Sequence, residues 1–277
     1  SLAVYNGEGD SGIRSALYEY GFDDDHIHSN NYGGSLAFTI GSRFLEQDDN
    51  GNDSHIIIIV AQGSTNFYEL YMDAMTSAKK SYNGYPVYDL VKDFYNAITE
   101  KLNELINADK LDPGSYKVLL TVHSLGGAAV NLVAASLLDN QSTQEEIDDI
   151  YCYTFGAIDS IKTPRGPVKD GYENIHNIYN LYDTFSPYQF GLLLPSGAGS
   201  GYGKFGHMDF YIKDHRYPGE KNYPPTDQLI AAVNHGMGNY YIDVAGENKT
   251  VQNSSLRMCE LRETGDYSFN ASIIACP

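Results

Sequence analysis

The stretch LLTVHSLGGAAV (residues 119–130) constrains the fold more than any other part of the chain. Apolar and β-branched residues lead directly into His123 and Ser124, and two glycines and a small-residue helical pattern follow. This order predicts a buried strand that turns sharply into a helix, because Gly126 and Gly127 let the two elements approach each other closely. A helix of small residues is suited to packing on a sheet.

Strand and helix patterns alternate along the chain, which favours an α/β fold with a largely parallel central sheet and helices on both faces. The Asn50–Gly51 pair is typical of a hairpin turn between the first two strands. No repeat or low-complexity linker divides the 277 residues, so we expect a single domain. Strands are predicted at 33–47, 54–63, 115–122, 148–157 and 174–183, and helices at 84–108 and 126–139. Residues 224–241 are predicted as a helix that runs into a turn bearing His235.

The charge of the chain narrows the classes of partner. Eighteen Lys and Arg residues against 36 Asp and Glu residues give a net charge of −18. Nucleic acids and anionic membrane surfaces are therefore disfavoured as partners, and a neutral substrate is favoured. No apolar run approaches the roughly 20 residues that span a membrane.

Ser124 has two interpretations. A serine at a sharp turn between strand and helix is lifted above the sheet edge, where it can act as a nucleophile if a base removes its proton. Serine is also a favoured N-cap of helices, so Ser124 could simply begin the helix.

A nucleophilic serine needs a base, and four histidines follow it in the chain: His176, His207, His215 and His235. His235 follows a helical run and precedes GMG, which places it in a late loop, as expected of the histidine of such a triad. His207 opens a predicted strand and is the alternative base, whereas His176 lies within a strand.

The acid that orients the histidine is expected between the serine and the histidine. Asp183 ends a predicted strand, where α/β sheets present functional groups, and is preferred over Asp209 and Asp159. The developing oxyanion would accept hydrogen bonds from the N–H groups of Leu125 and of Ser64, which ends an earlier strand in VAQGST.

These motifs together resemble the class 3 lipase family, which includes fungal lipases and feruloyl esterase-like members. The resemblance implies an α/β-hydrolase fold, Ser124 as nucleophile, Asp183 as acid, His235 as base, and Ser64 and Leu125 as oxyanion donors. It extends over about residues 35–241 and leaves 242–277 as a C-terminal extension. The matching blocks are IIIIVAQGSTNFYELYMDA (56–74), VHSLGG (122–127), YCYTFGA (151–157), NLYDTFSPY (180–188) and NHGMGNYY (234–241).

The chain departs from the family pattern at Val122, where the family has glycine, and at Gln62, where it usually has arginine. Family lipases carry a lid after the oxyanion turn, and residues 65–81 take that position here as a lid or as a helix packed on the core. Substrate contacts are expected from His123, Phe67, Tyr68, His207 and Leu193.

The sequence therefore predicts a serine hydrolase of acylglycerols or similar neutral esters, with no cofactor, no metal, no obligate protein partner and only transient contact with a lipid interface. A feruloyl- or acetyl-type esterase on plant cell wall esters and a catalytically inactive binding protein are the alternatives. The stretch DDDHIH (23–28) is interpreted as a solvated acidic loop rather than a metal site.

The cysteines bear on the compartment of the protein. Cys152 is predicted to be a buried free thiol, whereas Cys259 and Cys276 could form a disulfide, which would imply an oxidising compartment. We expect a secreted protein. The chain shows no signal peptide, but Ser1 could be the start of a processed chain.

Overall fold

The computed structural model describes residues 10–32, 36–47, 53–61, 80–111, 115–141, 143, 149–162, 168, 170–180 and 202–211. Several sequence predictions fall outside these residues. They concern Ser64, Phe67, Tyr68, Asp183, Leu193, His235, the departure at Gln62, the turn at Asn50–Gly51, the segment 65–81, the helix 224–241, the Cys259–Cys276 pair and the extension 242–277.

The centre of the molecule is a seven-stranded sheet. The strands are β1 (Ile27–Tyr32), β2 (Leu36–Gln47), β3 (Asp53–Ala61), β6 (Tyr116–His123), β7 (Ile150–Phe155), β9 (Ile175–Asn180) and β11 (His207–Tyr211), and the helices are α1 (Asp10–Glu19), α2 (Asp89–Ala108) and α3 (Leu125–Asp139). The strands lie in the order β1-β2-β3-β6-β7-β9-β11. Strands β3, β6, β7, β9 and β11 run parallel, and β1 and β2 are antiparallel to their neighbours.

Alternate residues of the strands face two separate cores, as the two-residue period of a strand requires. Ile57 and Ile59 of β3 pack with α2 and α3 in the larger core. Ile58 and Val60 point to the other face, where they meet Leu17 of α1 and its neighbours. The predicted parallel sheet with helices on both faces is confirmed, and the topology is that of an α/β-hydrolase.

The predicted helix 84–108 is wrong at its beginning. Asn83 and Gly84 both have positive φ (47° and 82°), the conformation of a tight hairpin turn, and they join β4 (Lys80–Tyr82) to β5 (Tyr85–Val87). Val87 therefore belongs to a strand, and the helix α2 begins only at Asp89. The Asn-Gly pair in SYNGYPV is typical of such a turn. The helical spacing of the apolar residues that follow it extended the predicted helix back over the turn.

One further α-helix, a short 3-10 helix and three further strands were not predicted. Helix α1 and strand β1 lie in the N-terminal region, and β1 begins inside the stretch interpreted as an acidic loop, which forms a 3-10 helix only over Asp24–His26. Strands β8 (Ile161–Lys162) and β10 (Tyr202–Gly203) join β5 and β4 in a second, four-stranded sheet.

The carboxyl end of α3 is held by polar side chains. The Asp139 carboxylate accepts hydrogen bonds from the Tyr82 hydroxyl (2.8 Å), the Asn83 amide (2.5 Å) and the Tyr172 hydroxyl (2.7 Å). Burial and the bond to this carboxylate raise the pKa of both tyrosines, so they stay protonated donors. These bonds offset the unfavourable position of a negative charge at a helix carboxyl end.

Cys152 is a buried free thiol, as predicted, and burial raises the pKa of its sulfur far above the ordinary value.

Among the described helices, none combines the length and the apolar composition that crossing a membrane requires.

Candidate active site

Ser124 lies in the sharp turn between β6 and α3, as the sequence predicts. Its backbone has φ 59° and ψ −134°, a combination that residues with a Cβ rarely adopt. The Ser124 N–H donates to the Phe155 carbonyl oxygen at the end of β7 (3.0 Å), and the Ser124 carbonyl accepts from the Gly127 N–H (2.9 Å). A non-glycine residue held in such a conformation is typical of functional sites, where the surrounding structure offsets the strain.

The N-cap interpretation of Ser124 does not fit this geometry. A capping serine has an extended backbone, and its side-chain oxygen accepts a hydrogen bond from the first turn of the helix. Ser124 has positive φ, and its side chain makes no capping hydrogen bond to α3. The hydroxyl therefore does not serve to start the helix.

The close approach of helix and sheet occurs at Gly127. A Cβ at this position would lie 2.2 Å from the Ala157 Cβ, far inside van der Waals contact. Val122, two residues before the serine, is fully buried in the larger core instead. The valine is thus accommodated in the core, and the close approach between α3 and the chain after β7 lies at Gly127 and Ala157.

Leu125 is the first residue of α3, and its side chain is buried. The first N–H groups of a helix have no acceptor within the helix, and they carry the positive end of its dipole. An N–H next to a nucleophile at this place is suited to bind a developing oxyanion. Leu125 thus lies at the start of α3, and its role as an oxyanion donor stays a prediction.

A buried polar network joins α3 to the sheet behind the turn. The Asn131 side-chain oxygen accepts from the Ser160 hydroxyl (2.7 Å) and from the Phe205 N–H (3.1 Å), and its amide nitrogen donates to the Phe205 carbonyl (2.8 Å). Asn177 continues the network on β9, where its side-chain oxygen accepts from the Thr154 hydroxyl (2.8 Å). All of these side chains are buried, so the network fixes the position of the helix.

A buried charge lies next to this network. The Lys204 side chain is fully buried, and its ammonium group donates to the carbonyl oxygens of Ala157 and Ile158. Asp159 follows these two residues, and its Oδ1 is buried without a hydrogen-bond partner. Burial raises the pKa of Asp159 to about 7, although the charge of Lys204 opposes the increase.

The structure does not bring His207 to Ser124. His207 pairs in register with His176 of β9, and His176 pairs with Tyr153 of β7. The centroids of the stacked rings are 5.6 Å apart for His207 and His176 and 5.3 Å apart for His176 and Tyr153. Strand β11 is three strands away from β6, which is about 14 Å at the usual strand spacing. His176 is a strand residue, as predicted.

The remaining predicted site residues divide between described and undescribed parts of the chain. His123 is the last residue of β6 and is partly exposed beside Ser124. The proposed partners Asp183, His235 and Ser64 lie outside the described residues, as do the substrate contacts Phe67, Tyr68 and Leu193. In the part of the chain that the structure describes, no three metal-ligating side chains lie together.

Residues 58–159 of the chain match the model of the class 3 lipase family. The matched stretch runs from the second half of β3 through the turn at Ser124 to Asp159. The resemblance predicted from the motifs is thus confirmed over this stretch, which covers somewhat more than a third of the chain. No curated protein matches the chain.

Solved structures of fungal lipases are similar to this chain. The lipase from Rhizopus microsporus var. chinensis is 17% identical, with 71% of this chain and 68% of that chain covered and a TM-score of 0.47. Lip2 lipase from Yarrowia lipolytica is 16% identical, with 78% and 80% covered and a TM-score of 0.45. The triacylglyceride lipase of Rhizomucor miehei is 22% identical, with 72% and 73% covered and a TM-score of 0.43.

Sequence reasoning missed the polar residues behind the turn. Asn131 is the single amide in the apolar run GGAAVNLVAAS, and a lone polar residue in a buried helix indicates a buried hydrogen-bond network. Lys204 stands in a glycine-rich stretch with no periodicity, so no signal in the sequence pointed to its burial.

The contact at Gly127 predicts the effect of Gly127→Ala. Overpacking of a core costs about 1–3 kcal/mol, whereas alanine gains about 1 kcal/mol over glycine within a helix. Since the added Cβ would lie 2.2 Å from the Ala157 Cβ, we expect the overpacking to dominate and the Tm to fall by several degrees in thermal unfolding.

The double variant Gly127→Ala/Ala157→Gly is the control. It removes the atom that the new Cβ meets, so most of the lost stability should return. A single Gly127→Ala variant as stable as the wild type would contradict the close packing of α3.

The burial of Asp159 predicts a pH-dependent stability. The folded pKa (about 7) lies above the ordinary value (3.8), so the folded state keeps a proton that the unfolded chain releases. The contribution of Asp159 to the free energy of unfolding therefore falls as the pH rises from 3.8 to about 7, and stays constant at higher pH.

Asp159→Asn lacks this titration, so the difference between its Tm and that of the wild type should increase from about pH 5 to about pH 8. Other carboxylates contribute equally to both proteins and cancel in the difference. A difference in Tm that is independent of pH would contradict a buried, titrating carboxyl group.

Proposed function

We propose that this protein is a serine hydrolase of carboxylic esters in which Ser124 is the nucleophile. The observation that carries the proposal is the backbone of Ser124, with φ 59° and ψ −134° between a buried strand and a helix. This conformation is maintained although the serine does not cap the helix, so its cost of about 1–3 kcal/mol serves another role. The turn lies within residues 58–159, the stretch that matches the class 3 lipase family.

In the proposed reaction the Ser124 oxygen attacks the carbonyl carbon of the ester while the histidine takes the serine proton. The carbonyl oxygen becomes an oxyanion, to which the Leu125 N–H at the start of α3 donates a hydrogen bond in this proposal. Collapse of the tetrahedral intermediate expels the alcohol, which receives the proton from the histidine. A water molecule then attacks the acyl-enzyme with the same histidine as base, and the acid is released.

His235 is the proposed base, Asp183 the acid that orients it, and the Ser64 N–H the second oxyanion donor. The resemblance to the class 3 lipases supports these assignments, since all three residues lie in the matching motifs in the required chain order. The position of His207 also favours His235, because His207 lies three strands away from β6.

The proposed substrate is a neutral ester, of the acylglycerol type or similar. The net charge of −18 disfavours anionic substrates, and the family match favours a lipid-type ester over other acyl compounds. An inactive binding protein is the alternative that the departures at Val122 and Gln62 favour. Val122 is buried in the core and the sharp turn at Ser124 is formed beside it, which supports the hydrolase, whereas Gln62 lies outside the described residues.

Covalent labelling tests the nucleophile. A fluorophosphonate probe should label the wild-type protein at one site, and Ser124→Ala should lose the label and about 10³-fold or more in ester turnover. Circular dichroism should show the variant folded. A folded wild-type protein that is never labelled would contradict the proposed chemistry.

The same assay tests the choice of base. His235→Ala should lower the labelling rate by about 10³-fold or more, whereas His207→Ala should lower it less than tenfold, because His207 stacks on His176 away from the turn. His207→Ala is the matched control, since both variants remove an imidazole. The reverse order of the two effects would show that His235 is not the base.

A series of p-nitrophenyl esters of increasing acyl length, measured beside methyl ferulate, tests the substrate class. A lipase should prefer acyl chains of about eight or more carbons and gain activity at an oil interface, since each buried CH₂ contributes about 0.8 kcal/mol. Activity confined to short chains, or highest on methyl ferulate, would contradict the acylglycerol assignment and indicate an esterase.

A further inference from the structure

Lys204 occupies an unusual environment for a lysine. Its side chain is fully buried, between β10 and β11 in the chain, and its ammonium group lies 5.2 Å from the centre of the Tyr179 ring. A buried ammonium ion is costly unless polar groups surround it. Here the carbonyl oxygens of Ala157 and Ile158 accept its hydrogen bonds, and the Tyr179 hydroxyl also donates to the Ala157 carbonyl (3.1 Å).

The backbone segment that Lys204 binds also contacts the turn at Ser124. Ala157 is the residue against which Gly127 packs. Two residues earlier, the Phe155 carbonyl accepts the hydrogen bond of the Ser124 N–H (3.0 Å). The segment 155–158 is therefore bound on one side by the lysine and on the other by the turn.

Lys204 itself cannot move independently of α3. Its neighbour Phe205 is bonded through both backbone groups to the Asn131 side chain of α3 (3.1 and 2.8 Å). Since the lysine and the helix are fixed to each other, the lysine sets the distance between the helix and the Ala157–Ile158 backbone.

We propose that Lys204 is a positioning residue for Ser124: its ammonium group fixes the Ala157–Ile158 backbone, and through the Gly127 contact it sets the orientation of the serine hydroxyl and of the Leu125 N–H. This proposal rests on the proposed function. Because the Lys204 side chain is fully buried, we expect it to affect the rate of the chemical step and not substrate binding.

Lys204→Met tests this role, because methionine retains a long, unbranched side chain but has no charge and no N–H donor. We expect a folded protein whose fluorophosphonate labelling rate and kcat both fall about tenfold or more, because small displacements of reacting groups have effects of this size or larger. The KM for a p-nitrophenyl ester should change less than twofold.

Lys92→Met is the matched control. Lys92 is a partly buried lysine on α2, a different element from the segment 155–158; its ammonium group lies over the Tyr95 ring (3.8 Å), and burial lowers its pKa. This variant should lose some thermal stability while its labelling rate stays within twofold of the wild type. A similar loss of labelling in both variants would mean that any lysine removal disturbs the protein, and would overturn the proposal.

The outcomes separate this proposal from the proposed function. A wild-type protein that does not react with the probe contradicts the function itself. A wild type that reacts, together with a folded Lys204→Met variant that reacts at the same rate, contradicts only the role of Lys204.

A second variant decides the question if Lys204→Met does not fold. Tyr179→Phe removes the other donor to the Ala157 carbonyl and leaves the lysine in place. We expect a smaller reduction in kcat and labelling rate, about two- to fivefold, again with an unchanged KM. Wild-type kinetics in Tyr179→Phe would then overturn the proposal.

Discussion

The contact between Gly127 and Ala157 is the constraint on which the rest of the structure depends. No side chain separates helix α3 from the end of β7 at this point, so the helix lies close enough for the Ser124 N–H to reach the Phe155 carbonyl. The turn at residue 124 is strained, and a strained turn persists only when its surroundings fix it from several sides. Here the packing of two small residues provides this restraint.

Polar interactions complete what the packing begins. Asn131 joins the middle of α3 to the Phe205 backbone through two hydrogen bonds. The Lys204 ammonium group donates to the carbonyl oxygen of Ala157, which lies just after β7. Both are buried, where hydrogen bonds are electrostatically stronger than in water and an unpaired group is costly. Replacing Asn131 or Lys204 alone would leave a buried partner without that hydrogen bond. These bonds therefore favour one position of helix α3 over others.

The parts of this protein that follow a regular pattern could be predicted from its sequence, and the parts that depend on single contacts could not. The alternation of apolar strands and helices predicted the parallel sheet, and VHSLGG predicted the turn at Ser124. The hairpin at Asn83–Gly84 was missed because the adjacent helical spacing extended over it. Lys204 was missed because the burial of a lysine depends on acceptors that only the folded chain brings together.

The bonds to Asp139 give helix α3 a second fixed end. The helix has 15 residues, so its last turn lies about 20 Å from the serine at 1.5 Å per residue. A rigid rod held at one end can pivot, whereas one held at both ends cannot. The hairpin residues Tyr82 and Asn83, together with Tyr172, thereby restrain the far end of the helix that begins beside the nucleophile.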